Sequence, residues 1–164
     1  MKEFLLRASE HAGDITRLLN AIDRSAVAGG RFVVRPHMIA DALTILTGDA
    51  LRFGDVTIAN DGTIRLNAVY GGMTLVYTLK ILQFSVANGA VEGRIAYTEQ
   101  RRGGGIGGAF LGLTGKSGLA VALAKYPGIK MTDDELRFST HGVPRSLRAV
   151  FHSASSEGVL FRVS

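Results

Sequence analysis

DVTIANDGTIRLNAVYGGMTLVYTLKILQFSVANGAVEGRIAY, Asp55–Tyr97, decides the fold. Apolar residues alternate here with polar ones, the period of a strand with one buried face. Val56 and Ile58 lead into Asn60-Asp61-Gly62, a hairpin signal. Ile64, Leu66 and Ala68 continue on one parity to Tyr70, and Gly71-Gly72 turns the chain. Leu75, Tyr77, Leu79 and Ile81 alternate next. Leu82, Phe84 and Val86 then change parity, which predicts a bulge near Ile81. Asn88-Gly89 is a third turn, before Val91, Ile95 and Tyr97. The stretch predicts an antiparallel meander of about four strands, the third long enough to curl.

On its N-terminal side the period is helical. Leu5, Leu6, Ile15, Leu18, Leu19 and Ile22 share a face, with Gly13 dividing the run. Arg31–Arg35 is a short strand candidate, and Pro36 suits the first position of a helix carrying Met38, Ile39, Ala42, Leu43, Ile45 and Leu46. On the C-terminal side Ile129–Met131, Leu136–Phe138, Leu147–Phe151 and Val159–Val163 read as short strands. The expectation is one α+β domain over residues 1–164, a curved antiparallel meander packed against two or three helices.

One of those helices is unusual. Gly103–Ala124, GGGIGGAFLGLTGKSGLAVALA, holds a single charge, Lys116, among eight glycines. Gly104, Gly108 and Gly112 recur every four residues and on a helix would form a smooth packing stripe. The segment reads as a glycine loop followed by a buried helix, or as an element that covers an apolar cavity or dips into a membrane surface. A membrane span is disfavoured by the glycines and by Lys116 near the centre. Gly103, Gly105 and Gly108 fit G-x-G-x-x-G, but no buried strand precedes them. Gly115-Lys116-Ser117 lacks the upstream glycine of a phosphate loop, and Leu119 breaks a nucleophile elbow.

The chain has no cysteine, which excludes disulfides and thiolate metal sites. His11, His37, His141 and His152 show no metal-ligand spacing, and Glu92 and Glu99 project from opposite parities. The residues therefore point to no catalysis, no metal and no cofactor. The formal charge is +5. That excess favours anionic partners, but only Arg101-Arg102 are adjacent and no basic run marks a nucleic-acid arm. Glu3, Arg7 and Glu10 interrupt the N-terminus where a secretory leader would be apolar, so the expected location is cytoplasmic, peripheral to a membrane.

LAVALAKYPGIKMTDDELRFSTHGV, Leu119–Val143, runs from a helix through a proline turn into a strand, an acidic turn and a second strand. In this it resembles the close of tubular lipid-binding domains, in particular the small bacterial members proposed to bind phospholipid. The resemblance implies a meander over a long helix, an apolar ligand and no catalytic residues.

The expected function is non-catalytic binding of a lipid or fatty-acyl ligand at an anionic membrane surface. Leu75, Tyr77, Leu79 and Ile81 would line the sheet side, with Phe110, Leu111 and Leu113 opposite them. Arg101, Arg102 and Lys116 would meet the anionic surface, and Gly104, Gly108 and Gly112 would let a helix pack closely. A homo-oligomeric assembly protein using the glycine-rich helix is the second reading. An arginine-driven nucleic-acid binder ranks third.

Overall fold

A computed structural model describes residues 29–48, 50–103, 106, 109, 112–113, 115–124, 126–141, 145–146 and 148–164. The helix expected over Leu5–Ile22, and Gly104, Gly108, Phe110 and Leu111, lie outside the described residues. Strand β1 is Arg31–Val34, helix α1 Pro36–Leu46, β2 Arg52–Ile58, β3 Ile64–Tyr70, β4 Met73–Ala87 and β5 Ala90–Arg102. Helix α2, Gly118–Leu123, is followed by β6 Ile129–Met131, β7 Glu135–His141, β8 Ala149–Ser155 and β9 Gly158–Val163. Over the described residues the fold is mostly antiparallel sheet with few helices, an α+β arrangement.

The meander forms as its turns dictate. Gly71-Gly72 and Asn88-Gly89 all take positive φ, the mirror-image turn that matches the twist of a two-residue hairpin. Directly opposed residues share a face, so the register names the core. Ile64, Leu66, Ala68 and Tyr70 of β3 face Leu79, Tyr77, Leu75 and Met73 of β4. Tyr97 and Ile95 of β5 face Leu79 and Ile81. Leu66, Leu75 and Tyr77 have no exposed surface at all.

The expected bulge lies between Ile81 and Gln83, at Leu82. It restores one inner face. Phe84 opposes Gly93 and Val86 opposes Val91, both on the parity of Ile95. The change of parity therefore does not make β4 apolar on two sides. Leu82, the inserted residue, is 46% exposed.

The later strands do not form a second layer. β5 occupies one edge of β4 over its length, so β3 and β8 divide the other edge on either side of the bulge. β7 and β6 extend the sheet beyond β5, and β9 lies between β8 and β1. All nine strands belong to one sheet. Phe84 and Phe151 stack edge-on against Phe161, and Phe32 and Phe138 flank them on the inner face.

Gly103–Ala124 is not one helix. Ile106, Ala109, Gly112 and Leu113 are helical, but Gly115 takes φ 64 and Ser117 is extended. A left-handed glycine ends a right-handed helix, and Ser117 starts the next one.

Candidate functional site

The site is built where β5 runs past the end of β7. Beyond Ala96 the outer edge of β5 has no β7 partner, and α2 covers the inner face instead. Helix α2 has only six residues, too few to persist in water by itself. Three contacts hold it. Ser117 Oγ accepts from the Ala120 amide at 3.0 Å, a cap of about 1 kcal/mol. Leu119 and Leu123 bury against the core. The third contact is a carboxylate from the sheet.

Glu99 opposes Tyr77, and Arg101 opposes Leu75, so both charged residues point inward. Glu99 Oε2 accepts from the Tyr77 hydroxyl at 2.6 Å and from the Gly118 amide at 2.7 Å. Its Oε1 accepts from Arg101 Nε at 2.9 Å. Arg101 Nη2 donates onward to the Lys116 carbonyl at 2.8 Å. The Glu99 side chain is 7% exposed. Its burial is tolerated because both oxygens are taken by charged or polar donors. Burial, and then the bond to Glu99, raises the Tyr77 phenol above its ordinary range. A Cβ at Gly118 would lie 2.6 Å from Leu75 Cδ1 and 3.1 Å from the Tyr77 hydroxyl, so any larger residue has to push these side chains aside.

A half-open cleft of about 320 Å³ lies beside this clamp, within the range of small-ligand sites. Leu123, Ile129 and Met131 give it an apolar wall, and Lys116, Ser117 and Asp133 stand at its polar side. Tyr97 closes one end, donating to the Thr132 carbonyl at 2.6 Å. In the segment leading to the cleft, Ile106 is 86% and Leu113 88% exposed.

No protein-family model, curated protein or solved structure matches this chain. The site has to be read from its own geometry. Among the described residues no cluster of His, Asp and Glu is arranged to hold a metal ion, and no helix is long and apolar enough to cross a membrane.

The expected site residues divide into three places. Leu75, Tyr77 and Leu79 do come together, but in the closed core, and none of them lines the cleft; Ile81 is half-buried beside them. Leu113 does not cover them, because the break at Gly115 leaves it in solvent. Gly112 is helical and exposed, and a Cβ there would meet nothing within 4 Å, so no close packing is made at this position of the glycine ladder. Arg101 and Arg102 part company, as neighbours on a strand must. Arg101 serves the Glu99 clamp, while Arg102 opposes Thr74 on the outer face and is exposed. Lys116 stands at the cleft.

Sequence reasoning missed Glu99, Leu123, Ile129 and Met131 as site residues. The signal for Glu99 was present. It shares the parity of Ile95 and Tyr97, and a carboxylate on the apolar parity of a strand marks a buried charge that needs partners.

Proposed function

We propose that this chain binds lipid without catalysis, docking on an anionic membrane surface through the segment between β5 and α2. The observation that carries the reading is the exposure of Ile106 and Leu113. Both of these residues are helical. Arg102 precedes them and Lys116 follows, so the apolar tip is bracketed by cations. Each side chain would add roughly 1.5–3 kcal/mol if fully buried in the interface, and each cation near the surface about 1 kcal/mol.

The cleft follows this tip in the chain and is the place for one acyl chain, its apolar part against Leu123, Ile129 and Met131 and its anionic head toward Lys116. The glycine-rich segment is thus read as a membrane-contacting element, and the location as peripheral and cytoplasmic. In this reading Glu99, held by Tyr77, Gly118 and Arg101, anchors α2 to the sheet.

Vesicle cosedimentation across a salt series tests the docking. Binding to vesicles containing phosphatidylserine should weaken in high salt without vanishing. The double substitution Ile106→Ser with Leu113→Ser should weaken it at every salt concentration. Equal binding to neutral and anionic vesicles, or none to either, refutes the reading. Native mass spectrometry of protein purified from cells tests the cleft: retained lipid supports it, and a lipid-free protein that takes up no fluorescent fatty acid overturns it.

A further inference from the structure

The basic residues are scattered in sequence, yet the register gathers many of them into one band on the outer face of the sheet. Gln83 of β4, Arg94 of β5, Arg137 of β7 and Lys130 of β6 lie side by side across four strands. One step along, Arg31 of β1, Arg162 of β9, Val150 of β8 and Ser85 of β4 continue the line, which ends at the exposed carboxylate of Glu92 opposite Ser85 on β5. Seven adjacent strands at about 4.8 Å spacing make a band about 29 Å long. All five of these cations are exposed, as is Lys80 beside them.

Three of the cross-strand pairs put like charges directly opposite: Arg31 with Arg162, Arg94 with Arg137, and Lys130 with Arg137. Such pairs are destabilising. Glu135 offsets part of the repulsion, taking a two-pronged bond from Arg94 at 2.8 and 3.0 Å and another from Arg137. Arg31, Arg162 and Lys130 have no carboxylate among their directly opposed partners. Glu92 is the other carboxylate on this line, and Arg162 Nη2 lies 3.2 Å from His152 Nε2. A bound polyanion would relieve the repulsion that these two carboxylates leave.

We infer that this band is a docking surface for the phosphate backbone of single-stranded nucleic acid. The cations follow a line across the strands, which fits a chain of regularly spaced charges. Most are arginines, whose planar fork matches phosphate oxygens. The cleft beside the Glu99 clamp is lined by none of these five cations, so the band offers an open track rather than a hole for one small anion. The band presents no phenylalanine ring for base stacking, because Phe32, Phe84, Phe138, Phe151 and Phe161 face inward. Recognition is therefore of backbone and independent of base sequence. Arg94 and Arg102 are eight residues apart on β5, roughly 26 Å along the strand, so the band stands well clear of the apolar tip.

Fluorescence anisotropy with a labelled twenty-nucleotide oligothymidine tests the inference on the whole chain. Binding should be salt-dependent, with log K falling against log salt by about 0.7 per phosphate neutralised. Lys130→Glu with Arg162→Glu should lower affinity at least tenfold at low salt and leave the thermal melt in place. The neutral pair Lys130→Gln with Arg162→Gln should give a slope shallower by about 1.4, since two fewer phosphates are neutralised. Phosphatidylserine vesicle binding should be unchanged in both variants, which separates this surface from the tip. No oligonucleotide binding, binding untouched by the charge reversal, or equal binding of polyglutamate of matched length overturns the inference.

Discussion

Tyr77 and Glu99 oppose each other across β4 and β5, and the phenol donates to the carboxylate at 2.6 Å inside the sheet. The bond lies between a side chain with no exposed surface and a charge that has left water. Tyr77→Phe keeps the ring and removes only the donor. Loss of a hydrogen bond to a buried charged group costs about 1.5–3 kcal/mol, to be read in urea melts. The same pair predicts an alkaline limb. The folded phenol is raised above its unfolded value of 10.0, so its contribution is complete below pH 10 and is lost as pH rises beyond it. Wild-type stability should fall more steeply above pH 10 than that of Tyr77→Phe.

Two glycines of one segment should respond with opposite sign. At Gly118 a methyl group meets Leu75 and the Tyr77 hydroxyl, and Gly118→Ala should cost about 1–3 kcal/mol by overpacking. At Gly112 it meets open space on a helical backbone, and Gly112→Ala should stabilise by up to about 1 kcal/mol. Thermal melts of both variants check the contrast. Equal destabilisation would show that Gly112 is packed after all.

Arg101 and Arg102 should separate stability from docking. Arg101→Glu sets a second carboxylate beside Glu99 and abandons the Lys116 carbonyl, so it should lower the melting temperature. Arg102→Glu should leave the melt unchanged and weaken binding to anionic vesicles. The pair is read by melting and cosedimentation on the same preparations.

Glu135 sets an acid limb. The hydrogen bond from Arg94, and then that from Arg137, holds its carboxyl at about 2, below the ordinary 4.5. A depressed carboxylate stabilises the fold above its unfolded value, and that contribution is lost as pH falls through the folded one. The stability difference between wild type and Glu135→Gln should therefore shrink as pH falls from 4.5 to 2. Carboxyl chemical shifts of Glu135 followed by NMR over the same range give the titration directly.

Gly93 carries a different demand. Its directly opposed partner Phe138 lays its ring where a Cβ would be. Gly93→Ala should displace the ring and disturb the contact between Phe138 and Phe84, whose centroids are 5.9 Å apart. A cost of about 1–3 kcal/mol is expected, measured by denaturant unfolding.

What was legible in the sequence was local. The hairpin turns follow from Gly71-Gly72 and Asn88-Gly89, and the bulge from the parity change at Leu82, because short-range backbone chemistry specifies them. Pro36 opens its helix for the same reason. The pairings of β1 with β9 and of β8 with β4 are not local, and alternation in Ala149–Ser155 or Gly158–Val163 does not say which edge will receive it. The cleft was hidden likewise, since α2 and β6 meet only once Gly115 has broken the helix. The basic band was hidden because adjacency on a sheet comes from register, whereas a basic run is adjacency along the chain.

The position of β9 between β1 and β8 sets an order of assembly. β1 is made first of the described strands and β9 last. While the chain is being synthesised, β1 has no partner, and its Phe32 and Val34 have no inner face to join until Val159 and Phe161 arrive. The hairpins from β2 to β5 can form as they emerge, but this side of the sheet waits until Gly158–Val163 has been made. A nascent chain stalled before Gly158 would hold a folded meander and a sticky, unmatched β1, a species that chaperones and proteases would meet first.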